Sequence, residues 1–165
     1  MAITKYQTTR NPVLIRGGCH GSVYRISDKA VAKVPLKSDL SGDVATYEFE
    51  IARALMRRGI NVARPLDIGN VVIGQKGKSL AYIMEFVDGK GFYDLPLVDE
   101  HRRLVAKKYH EEMSKAKEAG FDFGYERDTN YTNFIIDKQG QVKLIDFITW
   151  THPKIIRPLT MEELF

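Results

Sequence analysis

The chain has 165 residues, 44% hydrophobic and 28% charged, with a formal net charge of +4 and a sequence pI near 9.1. Such a composition excludes low-complexity and collagen-like chains and fits one domain or two small lobes. A single cysteine, Cys19, excludes an intramolecular disulfide and leaves too few cysteines for a Cys₂His₂, Cys₃His or Cys₄ zinc constellation.

Residues 12–15 form a short strand candidate, followed by a turn over 16–21, Arg-Gly-Gly-Cys-His-Gly. Residues 22–26 and 30–34 read as strands joined by a tight hairpin at 27–29. Glycine pairs are common in hairpins. Residues without Cβ also let backbone N–H groups close over phosphates, so the turn admits both readings. Lys33 alternates with Val31 and shares its face. Residues 44–58 are a predicted helix, capped by Asp43 and ended by Gly59. Its apolar stripe runs Val44, Ile51, Leu55, with Tyr47 and Ala54 beside it. Glu48 falls on that stripe, where a carboxylate is costly without a partner. Glu50, about 200° further round at 3.6 residues per turn, is assigned to solvent.

Arg64, Pro65 and Leu66 break the chain before a second hairpin, with strands over 68–73 and 80–86. From Met84 to Gly89 the chain changes from apolar to Gly/Asp-rich, as where a strand enters a turn. Residues 99–119 are a predicted long helix ended by Gly120, with a stripe of Leu104, Val105, Tyr109, Met113 and Ala116. Glu111 and Lys115 are spaced as an i, i+4 pair on its outer face, and His101 and His110 read as solvated. Residues 134–136 and 142–145 form two short strands around a turn at 138–140. That hairpin brings Asn133 and Asp146 to one end. An amide oxygen and a carboxylate are hard ligands suited to Mg²⁺ held beside phosphates. Asp128 stands nearby in sequence as a proton acceptor. Taken alone, Asp128-x-x-x-x-Asn133 fits an Asx-rich turn equally well. Trp150 and residues 161–165 are expected to pack back onto the second half of the chain.

Arg127–Asp128-x-x-x-x-Asn133, followed by Ile145–Asp146–Phe147, resembles the catalytic loop and metal-binding motif of the protein-kinase-like superfamily. The resemblance extends over positions 16–147, because a glycine loop, a strand lysine and a helix glutamate precede these motifs in the family's order. It implies an α+β, two-lobed protein-kinase-like fold in a single domain over 1–165. An antiparallel sheet with one helix would form the N-lobe over about 1–84, with a hinge over about 85–91. A truncated, mainly helical C-lobe would occupy about 92–165. Gly17, Gly18, Gly21 and Val23 would close over the ATP phosphates, with Lys33 on the α- and β-phosphates and Glu48 as its ion-pair partner. Met84 would line the adenine pocket, and the backbone of Glu85 and Val87 would pair with the adenine edge. Asn133 and Asp146 would hold Mg²⁺, and Asp128 would orient the acceptor hydroxyl and take its proton.

The departures are specific. Arg16 replaces the first loop glycine, Glu126 the usual histidine, Asn130 the lysine common in Ser/Thr kinases, and Ile148 the glycine of Asp-Phe-Gly. A β-branched residue at that last position argues against a flipping activation segment. No stretch after Phe147 matches an activation segment, so the chain is similar to RIO-like, Bud32-like or small bacterial-effector kinases. The expected function is an atypical Ser/Thr protein kinase acting with ATP and Mg²⁺ on a protein substrate. The alternatives are a small-molecule phosphotransferase of the aminoglycoside- or sugar-kinase type, and a nucleotide-binding pseudokinase serving as a binding module. Scattered Lys and Arg speak for solvated helix faces rather than a nucleic-acid tract. No apolar run approaches the roughly 18 residues of a membrane span, and the first residues lack an apolar signal region. A cytoplasmic location is therefore expected, with delivery into a host cell left open.

Overall fold

The computed structural model describes residues 12–17, 20–36, 41–73, 77–96, 99–123 and 131–156. It divides into two compact units. The first contains β1 (Val13–Gly17), β2 (Gly21–Arg25), β3 (Ala30–Pro35), the start of α1 (Ser41–Arg57), β4 (Pro65–Val72) and β5 (Lys78–Glu85). The second takes Ile51–Ala63 and Val87–Ile156, with β6 (Gly89–Lys90), α2 (Asp99–Glu118), β7 (Phe134–Asp137) and β8 (Val142–Leu144). The architecture is α+β. Among the described residues no helix is long and apolar enough to cross a membrane.

In the first unit five strands form one antiparallel sheet in the order β1-β2-β3-β5-β4. The central strand β3 is buried along its whole length, so the period-2 alternation of Ala30–Pro35 divides two buried faces rather than a wet and a dry one. Ala30, Ala32 and Val34 enter an apolar cluster with Tyr24, Val71, Ala81 and Ile83. Burying each of its larger side chains contributes about 1.5–3 kcal/mol. Val31 and Lys33 take the other face. Gly21 is required at the start of β2, because a Cβ there would meet the Val34 carbonyl.

Several predicted boundaries move. Gly17 closes β1 opposite Ser22 instead of standing in the turn, while Gly18 and Cys19 lie outside the described residues. Pro65 begins β4 rather than breaking the chain before it. The first residue of an edge strand tolerates a missing N–H. Helix α1 starts at Ser41, so Asp43 sits in its first turn, where a carboxylate still complements the helix dipole, rather than at the cap. The predicted stripe holds at Val44, Tyr47, Glu48, Ile51 and Leu55, which are buried, while Ala54, expected beside it, is half-buried. Glu50 is half-buried, not open to solvent.

Both helices end as predicted at glycine. Gly59 and Gly120 have φ of 76° and 88°. The Ile60 and Gly59 amides bond to the Leu55 and Met56 carbonyls, and the Phe121 and Gly120 amides to those of Ala116 and Lys117. This is the Schellman arrangement, which satisfies carbonyls that the last turn orphans.

In the second unit β6, β7 and β8 form an antiparallel sheet. The Asn61 side chain donates to the Val142 carbonyl (2.7 Å) and its backbone N–H donates to Glu112 Oε2 (2.8 Å), tying the segment after α1 to β8 and α2. Tyr109 stacks on Phe134 and Phe92 on Tyr131. The α2 stripe runs through Val105, Tyr109, Met113 and Ala116. Leu104, expected on it, is 53% exposed, since one residue's step turns it about 100° away. Lys115 bonds to Glu112 Oε1 (2.6 Å) at i, i+3 rather than to Glu111. Trp150 is buried as expected, packed edge-on against Phe147 and Phe123. Residues 161–165 lie outside the described residues.

Candidate functional site

The described candidate residues fall into two groups, one in each unit. In the first, the strand register lays Val23, Lys33 and Tyr82 side by side across β2, β3 and β5. Val31 and Met84 form the next row on the same face. The buried stripe of α1 supplies Glu48. Lys33 Nζ donates to Glu48 Oε1 at 2.6 Å, with the two side chains only 6% and 1% exposed. The helical and strand periods together account for this pairing: a period of two turns Lys33 to the Val31 face, and i+4 from Val44 turns Glu48 into the core. Taking two charges out of water is expensive, so the pair marks a place where charge is kept at some cost.

Tyr82 lies beside that pair and was not singled out by sequence reasoning. It is completely buried, and its hydroxyl has no hydrogen-bond partner. Burial first, then the carboxylates of Glu48 and Glu85, push its phenol well above the ordinary tyrosine range. The only sequence signal for it was its place two residues before Met84 on the same strand face.

At the end of β5 the backbone is heavily engaged. The Glu85 amide donates to the Arg64 carbonyl (2.9 Å), and Glu85 Oε1 accepts the Arg64 amide (3.0 Å). The Phe86 amide donates to the Lys29 carbonyl (2.8 Å), and the Arg25 guanidinium lies over the Phe86 ring at 4.3 Å. The Glu85 and Phe86 N–H groups are thereby spent. Met84 and Val87 are buried.

In the second unit the β7–β8 hairpin does what its sequence predicts. The Ile145 amide donates to the Asn133 carbonyl (2.9 Å), which sets Asn133 beside Asp146 at one end of the hairpin. Thr132 Oγ1 lies 3.2 Å from Asn133 Oδ1. Asp146 has φ of 68°, the one non-glycine residue in the left-handed region among those described. That conformation costs most L-residues roughly 1–2 kcal/mol, less for aspartate, whose short side chain can bond locally, and backbone strain concentrates at functional sites. Neither composition nor period foretold it. Phe147 and Ile148 are buried immediately after. Asp128, with Glu126, Arg127 and Asn130, lies outside the described residues.

No cluster of three or more His, Cys, Asp or Glu able to hold a metal alone exists among the described residues. Asn133 and Asp146 instead fit Mg²⁺, which takes one or two protein oxygens and completes its shell with phosphates and water. His101 and His110 are exposed as expected, with His110 Nε2 3.3 Å from the Tyr131 hydroxyl. His152 is the buried histidine. Its Nδ1 accepts the Lys154 amide (3.2 Å), and its ring packs 4.6 Å from Phe121. Burial, then the Arg58 charge, lowers its pKa, which a hydrogen bond to the Ala119 backbone partly opposes.

Compared with known proteins, the chain matches no protein-family model and no curated sequence.

Proposed function

We propose that this chain is an ATP- and Mg²⁺-dependent phosphotransferase, a minimal atypical kinase acting on a Ser or Thr hydroxyl of a protein. The observation that carries the proposal is the buried Lys33–Glu48 pair. An ammonium fixed by a buried carboxylate suits phosphate oxygens, since it is preorganised and its charge is little screened. Lys33 would neutralise the α- and β-phosphates, with the amides around Gly17, Gly18 and Gly21 over them and Val23 against the nucleotide. Met84, Glu85 and Val87 would receive the base. With the Glu85 and Phe86 N–H groups spent, the Glu85 carbonyl and the Val87 backbone are assigned to it.

Asn133 and Asp146 would hold Mg²⁺, which when bound supplies charge neutralisation for the phosphates. Asp128 would accept the proton of the acceptor hydroxyl as its oxygen bonds to the γ-phosphorus. The bond from that phosphorus to the bridging oxygen then breaks, and ADP leaves. Positioning and charge stabilisation would supply most of the catalysis. Buried Ile148 favours a constitutively competent site over one switched by its own loop. A chain with one cysteine suits a reducing compartment such as the cytoplasm.

Thermal unfolding with ATP and Mg²⁺ tests the reading. At about 100-fold excess over Kd a ligand stabilises by roughly 2.7 kcal/mol, which for a chain of this size raises Tm by roughly 5–10 °C. An unchanged Tm at millimolar ATP and Mg²⁺ would refute it.

A further inference from the structure

The Tyr82 hydroxyl is buried and bonds to nothing, an arrangement that folding alone does not favour. Tyr82 stands directly across from Lys33 in the β3–β5 register. Its ring meets that of Phe49, the neighbour of Glu48 on α1, edge-on at 6.3 Å between centroids. The phenol is thus enclosed by the elements that present the two charges. A phenol can both donate and accept, and the raised pKa keeps it protonated, hence able to donate.

We propose that Tyr82 is a positioning residue for the Lys33–Glu48 pair, its hydroxyl donating to the Glu48 carboxylate when Lys33 turns part of its ammonium toward a phosphate. The proposal rests on the nucleotide reading above. It assigns the hydroxyl no task in the nucleotide-free protein and one in the phosphate-bound state. The carboxylate then keeps its orientation while the lysine is shared.

Tyr82→Phe removes the hydroxyl and nothing else. Calorimetric titrations with ATP plus Mg²⁺ and with adenosine, alongside unfolding without ligand, separate the outcomes. The expected result is an ATP affinity reduced about tenfold, as for a lost hydrogen bond to a charged group. Adenosine, which brings no phosphate to Lys33, should bind both proteins alike, and the ligand-free Tm should not fall. Tyr24→Phe, in the apolar cluster on the opposite face, should leave both affinities at wild-type values. Equal ATP affinity in wild type and Tyr82→Phe overturns the inference. So does a parallel loss of ATP affinity, adenosine affinity and Tm, which marks Tyr82 as packing only. If wild-type protein binds neither ligand, the nucleotide reading itself fails, and that result needs no variant.

Discussion

Replacing Lys33 with methionine should cost about 3–5 kcal/mol, because it strips the Glu48 carboxylate of a buried cation at 2.6 Å. The side chains are 6% and 1% exposed, so solvent screening gives little relief. For a chain of this size, where each kcal/mol moves Tm by roughly 2–4 °C, that is a fall of roughly 6–20 °C. The double replacement Lys33→Met with Glu48→Leu should recover most of the loss, since apolar residues of similar volume avoid the desolvation penalty of both charges. An exposed pair provides the control. Asp88 and Lys138 form an ion pair with both side chains well exposed, and Asp88→Asn should cost no more than about 1 kcal/mol. Urea unfolding of the four proteins gives the comparison directly. If Lys33→Met costs as little as Asp88→Asn, or if the double variant is no more stable than Lys33→Met, the pair is not the buried, mutually dependent unit argued for.

Asp146→Gly and Asp146→Ala lose the same carboxylate and its contacts, but only glycine adopts a φ of 68° without strain. Asp146→Gly should therefore be the more stable of the two by roughly 1 kcal/mol, while both abolish the Mg²⁺-dependent part of nucleotide affinity. Unfolding and titration with and without Mg²⁺ check the two halves; an Asp146→Gly no more stable than Asp146→Ala would mean the strain argument is wrong. His152 sets an acid limit. Its folded-state pKa is lowered, so the unfolded chain binds the proton more readily, and stability falls as pH drops below the ordinary histidine value of about 6.5. The slope from this residue is at most about 1.4 kcal/mol per pH unit. His152→Gln should flatten the stability–pH curve between about pH 6.5 and the lowered folded value, and an unchanged curve would exonerate His152.

Much of the fold was legible because its periods are strong. The Val31–Lys33 alternation and the Val44–Glu48–Ile51–Leu55 stripe foretold which way a lysine and a glutamate would face, and their pairing follows from those two periods. Gly59 and Gly120 announced helix ends through backbone freedom that other residues lack. Boundaries set by tertiary context were less legible. Pro65 opens an edge strand where local rules suggested a break, and α1 extends past the expected cap to Ser41. A stripe containing both Leu104 and Val105 was ambiguous by one residue, and the second unit buries Val105 and leaves Leu104 exposed. Features that depend on contacts distant in sequence left no local mark. The unpaired Tyr82 hydroxyl needs the β3–β5 register and the His152 environment needs the end of α2, while the left-handed Asp146 was not foreseen although aspartate is one of the few non-glycine residues that enter that region.

The phosphotransferase reading meets its most direct test in single-turnover transfer of labelled γ-phosphate from ATP, with protein and small-molecule products read separately. Wild-type protein, Asp128→Asn and Asp146→Asn should be compared, each with a parallel ATP titration with and without Mg²⁺. Asp128→Asn keeps size and polarity but removes the proton acceptor, so transfer should be lost while ATP affinity stays near wild type. Asp146→Asn removes an anionic Mg²⁺ ligand, so both transfer and the metal-dependent affinity should fall. Wild-type transfer in both variants would contradict the account, as would a wild-type protein that binds ATP and passes phosphate to no protein, small molecule or water.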